Sequence, residues 1–274
     1  MKLLIAVDME GISGVVHWEQ VTPGDPEYQR FRHIMTADVN AAVQGAAEAG
    51  ADDIQVTDGH WNGTNILIEE LDARARLNSG SPSPFSMVEG IDSGVEAAFF
   101  IGYHARSGAT NGILNHTWSD ARIANVWLNG RLTGETGLNG SVCGAFQVPV
   151  LMISGDQTVA DEAREWIAGI DTVVVKQASG MMAANCLPPQ TAQQTIRETA
   201  GQAIQKFLHG GAPAPIKTSK PVTIGIEFNY VDMAERAMLL PGAKRLDGKK
   251  IEFQTSDMVS AYFNFRAAVT LARR

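Results

Sequence analysis

A chain of 274 residues exceeds the ~100–200 of one typical domain, and with 45% hydrophobic and 19% charged residues it buries a sizeable core instead of staying disordered. Its formal charge of −8 excludes the broad basic footprint that nucleic acid requires, and no basic run suits an anionic membrane surface. No stretch approaches the ~20 apolar residues of a membrane span, the opening MKLLIAV is too short for a secretory core, and two cysteines outside any CxxC spacing read as reduced thiols of a cytoplasmic enzyme.

In chain order, Lys2–Asp8 is an apolar run ending in acid, which predicts a buried strand. An amphipathic stretch over 27–49, stopped by Gly50, predicts a helix, and Ile54–Asp58 repeats the strand that ends in acid. Strand, helix, strand favours parallel pairing with a right-handed crossover. Residues 78–86, rich in Ser, Pro and Gly, predict a loop, and Ala97–Tyr103 a further buried strand ending at His104. Asn129-Gly130 between VWL and RLT is the sharpest hairpin signal in the chain. A helix over 136–146 and a strand over 148–154 follow, with Asp156 placed to cap the next helix and DTVVVK the next strand. After a helix over 190–208, HGGAPAP breaks the pattern. The remainder carries strands near 222–228 and 251 and helices around 232–240 and up to 271. The expected architecture is therefore α/β: a mixed, largely parallel sheet with flanking helices in a metal-binding portion, 1–208, and a smaller C-terminal α/β portion, 217–274.

Ligands of an open α/β sheet collect beyond the carboxyl ends of its strands. Asp8 and Glu10 leave the first strand there, Asp58 and His60 the second, and His104 the third. Singly, each has an ordinary reading as a loop acid or a hydrogen-bonded edge histidine, and Glu135 before a helix merely suits the helix dipole. Together they are the carboxylate and imidazole set that catalytic zinc takes. Paired ions ~3.5–4 Å apart activate water and polarise a scissile carbonyl, which is hydrolytic chemistry. No HExxH, GxGxxG, P-loop or GxSxG elbow competes. His116, in a polar Gly-flanked loop, has an imidazole suited to proton transfer, with an exposed loop histidine as the ordinary alternative. Asp58 either orients His60 or caps the following turn, and His17, His33 and His209 read as structural or exposed.

The strings VDMEGISG at 7–14, DGH at 58–60, FSMVEG at 85–90, GYHAR at 102–106, NH at 115–116, GETGLN at 134–139 and VPVLMISGD at 148–156 together resemble the DppA-type D-aminopeptidase family. The resemblance implies two zinc ions per subunit, with Asp8 bridging them, Glu10 and His60 completing one site, and His104 and Glu135 the other. It further implies His116 as the catalytic histidine, short peptides as substrate, release of an N-terminal D-residue such as D-alanine, and a homo-oligomer, a decamer. Trp61 directly after His60 and the TWSD stretch at 117–120 depart from the family pattern, so two indoles either reshape the substrate pocket or pack its wall. Alternatives at this level are a dipeptidase for L- or β-amino peptides, a dinuclear phosphoesterase, and a non-enzymatic metal-stabilised protein.

Overall fold

The computed structural model describes residues 1–273. The chain opens with β1 (Lys2–Val7), in which Leu3 to Val7 are fully buried, as a strand covered on both faces requires. Helix α1 (Tyr28–Glu48) ends just before Gly50, which takes φ 114°. Strand β2 (Asp53–Asp58) then returns parallel to β1, aligning Leu3 with Ile54 and Val7 with Asp58. The short, partly exposed β3 (Ala75–Asn78) carries no periodic signal and extends the sheet beyond β2. Next come β4 (Ala97–Ile101), β5 (Ile123–Leu128), β6 (Arg131–Thr133) and α2 (Glu135–Ala145). They are followed by β7 (Val150–Asp156), α3 (Gln157–Trp166), β8 (Asp171–Gly180), β9 (Ala183–Cys186) and α4 (Pro189–Leu208). The chain closes with β10 (Val222–Phe228), α5 (Val231–Ala237), β11 (Lys244–Arg245), β12 (Lys250–Thr255) and α6 (Met258–Leu271).

Local chemistry accounts for several boundaries. Asn129 at φ 49° and Gly130 at φ 78° turn the β5–β6 hairpin, the paired positive dihedrals that Asn-Gly accepts. Asp156 caps α3 by accepting the N–H groups of Thr158 and Val159, both at 2.9 Å. Among the described residues no helix is long and apolar enough to cross a membrane.

The described strands form two sheets. The first runs β3-β2-β1-β4-β7-β8-β9, parallel throughout except for β9 at one edge, and the second, β11-β12-β10-β5-β6, is antiparallel. The architecture is the expected α/β one, with a mixed, largely parallel sheet. The second sheet, however, combines β5 and β6 with strands from beyond residue 217.

Alternation along β1 and β4 assigns the two layers. Leu3, Ile5, Val7, Phe99 and Ile101 face a core shared with Val39, Val43 and Ala46 of α1 and Ile196 and Ile204 of α4. Leu4, Ala6, Ala98 and Phe100 face the other way, onto a core with Val126, Ile224, Ile226, Phe253 and Phe265. The parallel sheet is thus sandwiched between a helix pair and the antiparallel sheet with its helices. Each fully buried Leu, Ile or Phe contributes about 1.5–3 kcal/mol, so this sandwich is a firm platform for the loops at its carboxyl edge.

Candidate metal centre

Parallel strands put all their carboxyl ends on one edge, and β1, β2 and β4 are neighbours there. Beyond β1 the chain continues through Asp8, whose N–H donates to the Ile101 carbonyl at 2.9 Å, and Glu10. Gly59 N–H donates to the Val7 carbonyl at 2.8 Å, which brings His60 over the end of β1. Two glycines allow the β1 and β4 ends to touch: Gly102 sits at φ 73°, where a Cβ would lie 2.2 Å from the Asp8 carbonyl oxygen, and one on Gly11 would lie 2.0 Å from that of Tyr103. Glu135 is the first residue of α2, delivered by the β5–β6 hairpin of the second sheet.

The five expected ligands and His116 come together. His60 Nδ1 lies 3.2 Å from Asp8 Oδ1 and 3.1 Å from Glu10 Oε2. His104 Nε2 lies 3.3 Å from Asp8 Oδ2 and 3.3 Å from Glu135 Oε1. The two oxygens of Asp8 therefore face two separate carboxylate–imidazole pairs. Ligand atoms of Asp8, Glu10 and His104 lie within 4.8 Å of one another, as do those of His104, His116 and Glu135. The second group includes His116, which spacing alone left as an ordinary loop histidine.

The tautomers follow from the outward-facing nitrogens. A carbonyl only accepts, so His60 Nε2–H donates to Val21 O at 2.7 Å and His104 Nδ1–H donates to Ala105 O at 3.0 Å. In the neutral rings, lone pairs on His60 Nδ1 and His104 Nε2 would then face carboxylates, an arrangement that needs a positive charge between them. Without a metal, that charge is a proton. Burial would lower the imidazole pKa values, but the Glu10 charge and Asp8 raise His60 well above its usual range, and Glu135 and Asp8 do the same for His104. For Asp8, burial would raise the carboxyl, and the two imidazoles overturn this and hold it well below the usual range.

The same atoms fit zinc. Glu10 Oε2 and His104 Nε2 are buried and have no hydrogen-bond partner. Ligands at bonds of about 2.0–2.1 Å to one tetrahedral ion stand roughly 3.3 Å apart, close to the 3.1–3.3 Å separations found here. All the donors are oxygen or nitrogen, and the two cysteines lie elsewhere, with Cys143 buried and its thiol pushed up to about 12 by burial.

His116 stacks on His104, with ring centroids 4.1 Å apart and planes 10° from parallel, and the Trp18 ring lies tilted against it at 5.6 Å. The loop carrying it is pinned at several points. Ile113 N–H donates to Asp156 Oδ2 at 2.6 Å, Leu114 N–H to the Met181 carbonyl at 2.8 Å, and Ser107 N–H to Thr117 Oγ1 at 3.1 Å. Asn111, Leu114 and Trp118 all have positive φ, at 54°, 47° and 65°, a cluster of backbone strain of the kind that accompanies functional loops. His116 Nδ1–H donates to Leu114 O at 2.9 Å, leaving Nε2 as the nitrogen free to take or give a proton.

The open alternatives for the neighbours resolve on geometry. Asp58 caps the turn after it, accepting Asn65 Nδ2 and Ile66 N–H, both at 2.8 Å, and the His60 ring turns instead to Val21. Trp118 is wall packing, its indole edge-on to Tyr262 and Phe265, while its backbone N–H donates to Glu135 Oε1 at 2.6 Å. Trp61 is 60% exposed beside His60. His33 pairs with Glu70 at the surface, and His17 caps a short 3-10 turn.

Two buried groups beneath the β1 loop went unread in the sequence. Lys176 on β8 and Asp38 on α1 are each 1% exposed. Burial lowers the Lys176 ammonium to about 8, against the opposing charges of Asp156, Cys186, Asp38 and Glu10. Burial likewise raises the Asp38 carboxyl to about 6, although Ser13 and Gln193 donate to it. A lone lysine closing the apolar run DTVVVK was the one available signal.

Residues 1–267 match a family model described as D-aminopeptidase. The chain is 38% identical over 275 residues to a D-aminopeptidase of Bacillus subtilis (strain 168), covering 100% of this chain and 98% of that protein. It also superimposes, with a TM-score of 0.95 and 36% identity over 100% of this chain and 98% of the other, on a solved structure described as the Zn-dependent D-aminopeptidase DppA from Bacillus subtilis, a self-compartmentalizing protease.

Proposed function

This chain belongs to the D-aminopeptidase family, and from that premise we propose that its six converging residues form a dinuclear zinc centre that releases an N-terminal D-residue, such as D-alanine, from short peptides. Asp8 would be shared between the two ions, with Glu10 and His60 holding one and His104 and Glu135 the other. The observation that carries this reading is the division of the Asp8 carboxylate, one oxygen toward His60 Nδ1 and the other toward His104 Nε2.

Two bound zinc ions supply Lewis acidity at the scissile carbonyl and make water a nucleophile near neutral pH. The protein's own groups do the rest. The hydrogen bonds to Val21 and Ala105 hold each imidazole in the tautomer that presents a lone pair inward. Trp118 N–H holds one Glu135 oxygen in place. His116, with Nδ1–H committed to Leu114, has its Nε2 lone pair available to take the proton that the attacking water gives up; the Nε2–H so formed would steady the developing oxyanion and pass that proton to the leaving amine. Trp61, directly after His60 in the chain, is exposed to solvent.

The solved relative's description as self-compartmentalizing supports a homo-oligomer for this chain, with a decamer as the expected size, and the paucity of cysteine supports a cytoplasmic enzyme. The zinc-loaded protein should hydrolyse D-Ala dipeptides in preference to L- and β-amino dipeptides and to phosphate esters, and a chelator should stop hydrolysis without dissociating the oligomer. Preference for an L- or β-amino dipeptide would reassign the substrate, and turnover confined to phosphate esters would overturn the peptidase reading.

A further inference from the structure

The segment after β1 is gripped from beneath by a buried lysine. Lys176 Nζ donates its three hydrogens to three carbonyls of one loop, Glu10 O at 2.6 Å, Ile12 O at 2.9 Å and Val15 O at 2.7 Å. An ammonium has three donors and no acceptor, so its capacity is filled by backbone alone. The neighbouring strand positions Val173 and Val175 are buried and apolar. Burying a charge among them is costly, and an aliphatic side chain would fill the space without that cost. The charge therefore answers a need of the loop. Asp38 takes the loop's donors, Ser13 N–H at 3.0 Å and Ser13 Oγ–H at 2.8 Å. A third anchor is Gly11 N–H to the Gly102 carbonyl at 2.8 Å. Glu10, whose carboxylate points at His60, is thus tied through its own carbonyl oxygen to β8, 166 residues away.

We propose that Lys176 is a positioning residue for the metal centre: by fixing the carbonyls of Glu10, Ile12 and Val15 it holds the Glu10 carboxylate at the Asp8–Glu10–His60 site and so sets the affinity of that site, and not of the His104–Glu135 site. This inference rests on Glu10 being a ligand. The reason for selectivity is geometric, because Lys176 bonds to nothing in the 104–118 loop or α2.

The test is zinc titration of the metal-free full chain against a chromophoric chelator, at fixed pH and at a temperature where the variant is folded by circular dichroism. Lys176→Met should weaken one of the two ions by about 10–100-fold, the usual effect of losing a group that orients a ligand, and leave the other unchanged. Lys176→Gln, which keeps two N–H donors on a shorter stem, should weaken the same ion by less. If the Met variant does not fold, the Gln variant decides by the same criterion. Two ions bound with wild-type affinity, or both weakened equally, would overturn the proposal and leave Lys176 a structural residue. Glu10→Gln serves as the control: it should lose the same ion, and if it retains both, the ligand assignment itself has failed, which is a distinct outcome.

Discussion

The two sides of the Asp8 carboxylate are built differently. On one side Glu10 sits on a segment whose backbone is tied down by Lys176, Asp38 and the neighbouring β4 end, all buried, and His60 joins it from the end of β2. On the other, His104 and Glu135 stand beside a 105–118 loop of positive-φ residues that brings the half-buried His116 against His104. Both sides use the same ligand chemistry, one carboxylate and one imidazole. The difference lies in what the support carries: the buried Lys176 and Asp38 side chains hold one side, and the other, pinned through the Ile113 and Leu114 N–H groups, brings the imidazole of His116 to the site. A metal site that must hold its ions while protons move is well served by separating these duties.

Removing the shared residue should erase the comparison altogether. Asp8→Asn is expected to release both ions and all peptide turnover, checked by elemental analysis after dialysis and by assay on a D-Ala dipeptide. Retention of two zinc ions per chain would contradict the bridging role.

Next in size is His116→Ala. The side that handles protons should fail without the site emptying, so kcat should drop by about 10²–10⁴-fold with two zinc ions still bound. Unchanged turnover would remove His116 from the chemistry.

The smallest effect probes the Lys176 and Asp38 side through pH. Asp38 has a folded pKa of about 6 against an ordinary 3.8. The folded state therefore holds this proton more tightly, and the associated stability is complete below about pH 3.8 and lost as pH rises through about 6. Asn at this position has no proton to lose. In urea unfolding of the metal-free chain, Asp38→Asn should gain on the wild type between pH 4 and 7 by up to about 3 kcal/mol, at about 1.4 kcal/mol per pKa unit. A difference that stays flat with pH would show that Asp38 titrates normally.

Legibility in the sequence followed the range of the interaction. β1, α1 and β2 were readable because strand runs and helix periodicity are local, and so were the Asn129-Gly130 turn and the Asp156 cap. The short strands β3 and β9 were not, since four residues each, half exposed, carry no pattern. Nor was the second sheet, in which Val126 pairs with Ile226 across about a hundred residues, a register set by packing and not by either strand's own composition.

What the amino-acid sequence determined by itself was therefore the parallel βα framework and the chemical identity of the donors at its strand ends, because side-chain chemistry and short-range periodicity are written residue by residue. The tertiary structure alone decided how the two Asp8 oxygens are divided, which nitrogen each histidine presents, that His116 stacks on His104, and that Lys176 reaches the carbonyl of Glu10. Each of these depends on distances between 2.6 and 4.1 Å separating residues far apart in the chain, and such distances exist only once the sheet has brought the strand ends together.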